Sequence, residues 1–145
     1  KVQEVTEYKK GVIDGSRKLY SRNGDLIIEE TYDNGDFDGP FYTYYPNGQV
    51  ELQGQYEENV MTGKWKKYYE SGALMEVVTM ENNRENGPFT EYYENGNLKA
   101  EGDYKDGDNE HGLLKLYNKE GVLVKKMDCK EGICQTIWEK KTKDE

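Results

Sequence analysis

The chain has 145 residues, 34% charged and 34% hydrophobic, with a formal net charge of −9, 2 Cys and 1 His. That balance points to one domain with a modest core, excludes the basic footprint nucleic acid requires, and disfavours an anionic bilayer surface. No stretch has the apolar length of a transmembrane segment, and 13 Tyr against 3 Phe and 2 Trp make tyrosine the main source of packing area.

Glycine recurs at a fixed interval. Gly15, Gly39, Gly63, Gly87 and Gly112 stand 24, 24, 24 and 25 residues apart, and a second Gly follows each of them nine residues later. A constant period of this size marks a repeat architecture. The chain opens half a unit early, because Tyr8-Lys9-Lys10-Gly11 matches Tyr32-Asp33-Asn34-Gly35. The unit starting near 15 is poor in aromatics at its variable positions, with Arg17 and Ser21 around the invariant Tyr20. The units near 39, 63 and 87 share one pattern: Phe41, Trp65 or Phe89, then the Tyr pairs Tyr44-Tyr45, Tyr68-Tyr69 and Tyr92-Tyr93. An extra residue lies in the acidic turn Asp106–His111, before the unit near 112 with Leu114, Tyr117 and Asn118. An aliphatic column follows each second Gly: Leu26, Val50, Leu74, Leu98 and Leu123. Six residues further stand Tyr32, Tyr56, Met80, Tyr104 and Cys129, and Cys134 then begins a closing half-unit with no Gly after it.

Each unit reads as a β-hairpin, since turn signals such as Pro46-Asn47-Gly48 separate runs rich in Tyr, Val, Ile, Leu and Thr. A three-residue loop with a Gly bulge and a two-residue Asn-Gly turn both fit, and they place opposite tyrosine columns on the face of Leu26–Leu123. Pro46, which sets φ at the first turn position, favours the bulge and puts Tyr20, Tyr44, Tyr68, Tyr92 and Tyr117 with the aliphatic column. No 3.6-residue periodicity argues for a helix. The expected fold is all-β: an elongated single-sheet solenoid of consecutive antiparallel hairpins, with Tyr20, Tyr44, Tyr68, Tyr92 and Tyr117 as structural residues. The repeat domain should occupy residues 1–138 with half-units at both ends, and Trp138 should pack over the open end. Residues 139–145 form a charged tail expected to be disordered.

The pattern Gly-x-(Phe/Trp)-x-x-Tyr-Tyr-x-Asn-Gly-x-Leu followed by Tyr-x-x-Gly resembles the bacterial variant of the MORN repeat, over roughly residues 8–134. The resemblance implies rods of β-hairpins that act as scaffolds or interaction modules, and an antitoxin label is common among such proteins. Arg17, Ser21 and Met80 depart from the pattern, and the deviating terminal units behave as caps.

Cys129 and Cys134 fall on opposite strands of the last hairpin, next to its turn, so a disulfide is expected there rather than two free apolar thiols. A bridge points to a periplasmic, cell-surface or secreted protein, the alternative being cytoplasmic. Lys1 in place of Met implies that an upstream segment was removed, a signal peptide being one form of it.

His111 stands alone in a polar turn, the acidic residues around it lack calcium-loop spacing, and no phosphate-cradling Gly cluster occurs. No catalytic residue, metal or cofactor is expected. The expected function is a non-catalytic scaffold for protein–protein interaction, with Phe41, Trp65 and Phe89, flanked by Tyr45, Tyr69 and Tyr93, as the docking face. The net charge suits a partner with a basic surface, and self-association through the sheet edges is open to it. Two alternatives come from other classes: an antitoxin-like inhibitor of a basic protein toxin, and a glycan-binding surface protein whose aromatic rows stack on sugar rings.

Overall fold

Gly48 shows how the hairpins close. It adopts a φ of 86°, its N–H donates to Tyr45 O at 2.9 Å, and Tyr45 N–H donates to Gln49 O at 2.8 Å. This is the three-residue loop with a Gly bulge, and the same pair of bonds recurs at Ser21, Tyr69, Tyr93 and Asn118. At the opposite end of the strands the turns have two central residues, both at positive φ, such as Glu58-Asn59 and Asn82-Asn83. That is the mirror-image turn whose twist matches paired strands.

The computed structural model describes residues 3–142. Its strands are β1 (Gln3–Lys9), β2 (Val12–Tyr20), β3 (Leu26–Asp33), β4 (Asp36–Phe37), β5 (Gly39–Tyr44), β6 (Val50–Glu57) and β7 (Val60–Tyr68). They continue as β8 (Leu74–Glu81), β9 (Arg84–Tyr92), β10 (Leu98–Tyr104), β11 (Gly112–Tyr117), β12 (Leu123–Lys130) and β13 (Ile133–Glu139). All 13 strands join one open antiparallel sheet in chain order, with β4 a short segment paired to β3. The fold is all-β, a solenoid of hairpins, and the described residues contain no helix.

Register decides which residues share a face. Tyr20, Tyr44, Tyr68, Tyr92 and Tyr117 stand opposite Leu26, Val50, Leu74, Leu98 and Leu123, so these two columns share one side, here the outer face. The other side, the core face, carries three rows that run across the strands. The middle row is Arg17, Glu30, Phe41, Gly54, Trp65, Val78, Phe89, Gly102, Leu114 and Met127. Every buried residue lies on this face, and Trp65, Phe89 and Ala100 each keep only 4% exposure.

A single layer buries these side chains by laying each across its neighbour. The Trp65 ring lies flat over Gly54 of the preceding unit, where a Cβ would sit 2.1 Å from Trp65 Cδ2. Gly102 makes similar room for Phe89 and Leu114, and Phe89 stacks on Tyr104 at a centroid distance of 4.1 Å. Aromatic contacts continue through Tyr32, Phe37 and Tyr56 toward the N-terminal end.

Both ends of the sheet depart from the repeat. Arg17 replaces the aromatic of the first unit, pairing with Glu30 at 3.3 Å and Glu4 at 2.9 Å, while the Tyr32 hydroxyl donates to Glu30. At the other end Thr136 stands where the five units have a Gly at positive φ, a backbone region that β-branched residues avoid. Strand β13 accordingly slips, and Trp138 pairs with Lys126, whereas Phe89 pairs with Val78 in the equivalent place. Trp138 therefore does not cover the end of the core as expected. It lies on the outer face, 42% exposed, with Lys126 Nζ 5.9 Å from its ring. The sheet also extends into the charged tail: Glu139 belongs to β13, and Lys140 N–H donates to Val124 O at 2.8 Å. Lys1, Val2 and residues 143–145 lie outside the described residues.

Gly54→Ala should cost about 1–3 kcal/mol through overpacking against Trp65, read as a lower melting temperature. A variant that melts with the wild type would contradict the ring-over-glycine packing.

Candidate binding face

The aromatic residues expected to dock a partner, Phe41, Trp65 and Phe89, lie together on the core face, with Tyr45, Tyr69 and Tyr93 at its margin. Two of the three rings are not available as a docking surface, however. Trp65 and Phe89 are buried, and Phe41 packs edge-on against Tyr56, with centroids 5.7 Å apart. The marginal tyrosines are tied down too. Tyr45 donates its hydroxyl hydrogen bond to Tyr68 O at 2.6 Å, Tyr69 to Tyr92 O at 2.7 Å and Tyr93 to Tyr117 O at 2.7 Å. Each of these bonds joins one unit to the next, so this column staples the repeats together.

On the outer face the invariant tyrosines reach acceptors one strand away. Tyr44 donates to Glu29 at 3.2 Å, Tyr68 to Gln53 at 3.2 Å and Tyr117 to Glu101 at 2.7 Å. Burial, and then the neighbouring carboxylate, pushes the Tyr44 and Tyr117 hydroxyls up to about 12. The outer face is half-buried and mixed in charge, with a shallow hollow of about 350 Å³ lined in part by Pro88, Thr90, Glu101 and Leu113.

The core face changes character at its centre. One flanking row runs Leu19, Ile28, Thr43, Leu52, Lys67, Glu76, Glu91, Ala100 and Leu116. The column of Leu19, Thr43 and Leu116 holds Lys67 and Glu91 in the middle units, and the column of Ile28, Leu52 and Ala100 holds Glu76 and, in the last unit, Lys125. The other flanking row, apolar at Ile13, Phe37 and Met61, carries Glu85 and Glu110 instead.

Glu76 and Glu91 face each other directly across β8 and β9. Loss of hydration, then the Glu91 charge, raises the Glu76 carboxyl above its ordinary 4.5, with Lys67 opposing and Glu85 adding to the rise. Tyr104 beside them is pushed up to about 12, first by burial and then by Glu76, Glu91, Glu110 and Glu85. The ion pairs among the described residues are Arg17–Glu4, Arg17–Glu30 and Lys115–Glu101, none of which involves these four glutamates.

Between the flanking rows a groove of about 240 Å³ opens over the middle of the sheet. Leu52, Met61, Trp65, Val78 and Met80 line it, together with both signs of charge, Glu76 and Glu85 beside Lys66 and Lys67. Among the described residues the indole N–H of Trp65 finds no hydrogen-bond acceptor.

The sequence does carry a signal for this cluster, namely polar residues in columns that are apolar in the other units. That Glu76 and Glu91 are neighbours emerges only from the cross-strand register.

Cys129 and Cys134 are directly opposite in β12 and β13 and form a disulfide with Cα atoms 4.0 Å apart. His111 lies in the irregular turn before β11, where its backbone N–H donates to Asp103 O at 2.8 Å.

Four segments, residues 13–34, 37–58, 61–82 and 85–106, match the profile described as MORN repeat variant. The unit beginning at Gly112 lies beyond the matched segments. No curated protein matches the chain.

Glu76→Gln should stabilise the protein at neutral pH by about 0.2–1 kcal/mol, because like charges directly opposite in a sheet are unfavourable. The sign follows from the raised carboxyl: its protonated form suits the fold, so its contribution is complete below pH 4.5 and is lost as pH rises through the folded-state value. Denaturant melts should therefore separate variant from wild type at pH 7 and converge below pH 4.5. An equal or lower stability at pH 7 would contradict the repulsion.

Proposed function

Because the chain belongs to the MORN repeat variant family, whose profile covers four of its units, we propose that it is a non-catalytic scaffold that holds another protein along its sheet. The observation that carries this reading is the continuous, repeat-built core face with an acidic centre. Carboxylates that form no ion pair among the described residues favour a partner that brings cations, and the net charge of −9 would speed the encounter with a basic surface. The charged central columns, rather than the buried rings of Trp65 and Phe89, are the recognition elements.

The Cys129–Cys134 bridge supports an oxidising compartment, such as a periplasm, a cell surface or the extracellular space. A basic protein toxin is one client of this class. Copies of the chain could also meet through β1 and β13, which have one unpaired side each and expose Val5 and Ile133.

The test is crosslinked capture from the source cells and their surroundings, followed by binding of the purified client. A basic client is expected, with affinity that falls as salt rises and amide-exchange protection that spans at least two units. A client that is acidic, or whose binding ignores salt, would overturn the electrostatic part of the reading. A purified chain that binds no captured protein would overturn the scaffold role.

A further inference from the structure

From Gly39 onward, the first strand of each unit sets one apolar side chain in the middle row of the core face: Phe41 in β5, Trp65 in β7, Phe89 in β9 and Leu114 in β11. Strand β13 has no such anchor. Its one-residue slip turns Trp138 to the outer face, and every β13 residue except Cys134 is exposed. None of the ion pairs among the described residues reaches β13. What holds the strand is its backbone pairing with β12, the turn bond from Gly132 N–H to Glu110 O at 3.1 Å, the contact of Lys126 with the Trp138 ring, and the Cys129–Cys134 bridge.

The bridge ties β13 to the core where the ring is missing. Cys129 keeps only 3% exposure in the column of Tyr32, Tyr56, Met80 and Tyr104, so it belongs to the core, whereas Cys134 lies half-buried on the edge strand. The two residues are separated by only 5 positions in sequence. A loop this short gives less than a long one would, and in a repeat array an end effect stays with the unit that carries it. The action of the bridge is therefore confined to its own hairpin. Among the described residues no strand pairs with the other side of β13, which leaves the Cys134 edge open to solvent.

We propose that the Cys129–Cys134 bridge is a redox latch, whose reduction frees β13 from the sheet and uncovers the edge of β12. The reductant is a dithiol. One of its thiolates attacks the sulfur of Cys134, the more exposed residue, and forms a mixed disulfide while the protein's S–S bond breaks and Cys129 leaves as a thiolate. The second thiol of the reductant then displaces Cys134. Two electrons and two protons have passed to the protein, which ends as two thiols, and the reductant ends as a disulfide. Without the bridge, the exposed side chains of β13 bury too little apolar surface to offset the entropy of holding the strand in place. The edge of β12 then presents unpaired backbone groups, and Met127 and Cys129 lose their cover. The latch stays closed in an oxidising compartment and opens where a dithiol reductant is met. It is independent of which client the sheet holds.

The test is amide exchange of the full chain, read by mass spectrometry before and after treatment with dithiothreitol, with both free thiols confirmed by alkylation. Exchange across β13 is expected to quicken at least ~10-fold on reduction and to recover on reoxidation, while β2 to β10 keep their protection. Unchanged protection of β13 with both thiols free would overturn the latch. Loss of protection throughout the chain would overturn it too, because the bridge would then hold the whole array. The double variant Cys129→Ser, Cys134→Ser reads the same opening without a reductant. Its β2 to β10 should be protected, which shows that it folds, and a β13 as protected as in the oxidised wild type would contradict the proposal. Thr136→Gly adds a readout that a general effect of reduction would not give. It restores the Gly of the other units, lets Trp138 turn to the core face, and is expected to keep β13 protected after reduction. A Thr136→Gly chain that releases β13 as readily as the wild type would overturn the bridge as substitute for the missing anchor.

Discussion

A one-layer sheet has no second layer to cover its apolar side, so its side chains must cover one another. Here that is done by rings that lie along the sheet. Trp65 occupies the space a side chain would fill at Gly54, and Phe89 stacks on Tyr104 of the next strand. This overlap passes from unit to unit, so no unit is sheltered without its neighbours. The tyrosine staples from Tyr45 to Tyr68 O and from Tyr69 to Tyr92 O add a polar tie along one margin. Both depend on the same constraint, the three-residue turn with Gly48 and its counterparts at positive φ. A turn shorter by one residue would send the ring row and the Leu26–Leu123 column to the same side and leave the other side without a core.

Much of this was legible in the chain. The glycine spacing defines the units, Pro46 selects the longer turn, and the template places Cys129 opposite Cys134. The grouping of Phe41, Trp65 and Phe89 with Tyr45, Tyr69 and Tyr93 on one face also follows from that turn. What sequence does not disclose is how far neighbouring rings cover each other, so an aromatic stripe reads as an interface when it is the core. The position of Trp138 was hidden for a smaller reason. One Thr in place of a positive-φ Gly moves the last strand by a residue and turns the indole to the outer face. Nor is the Glu76–Glu91 opposition visible in a linear reading, since the two residues belong to different units of the period and meet only through pairing.

Repeat proteins state their structural requirements several times over, so a column that breaks its own rule is informative. Lys67, Glu76, Glu85, Glu91 and Glu110 break it within two consecutive units of the same face. Natural proteins keep such conflicts where function needs them, and stability is recovered elsewhere. Here the recovery lies in the ring row beside the acids and in the ties between units. Rigidity and charge thus share one face: buried rings in the middle row, charges in the rows on either side.

The central claim is that the ring row is a core and not an exposed docking stripe. Acrylamide quenching of the Trp138→Phe variant, in which Trp65 is the only indole, tests it most directly. A blue-shifted emission that resists quenching in the folded state and becomes fully quenchable in denaturant is the result the account predicts. Emission at the wavelength of exposed tryptophan, quenched as readily in the folded as in the unfolded chain, would contradict it.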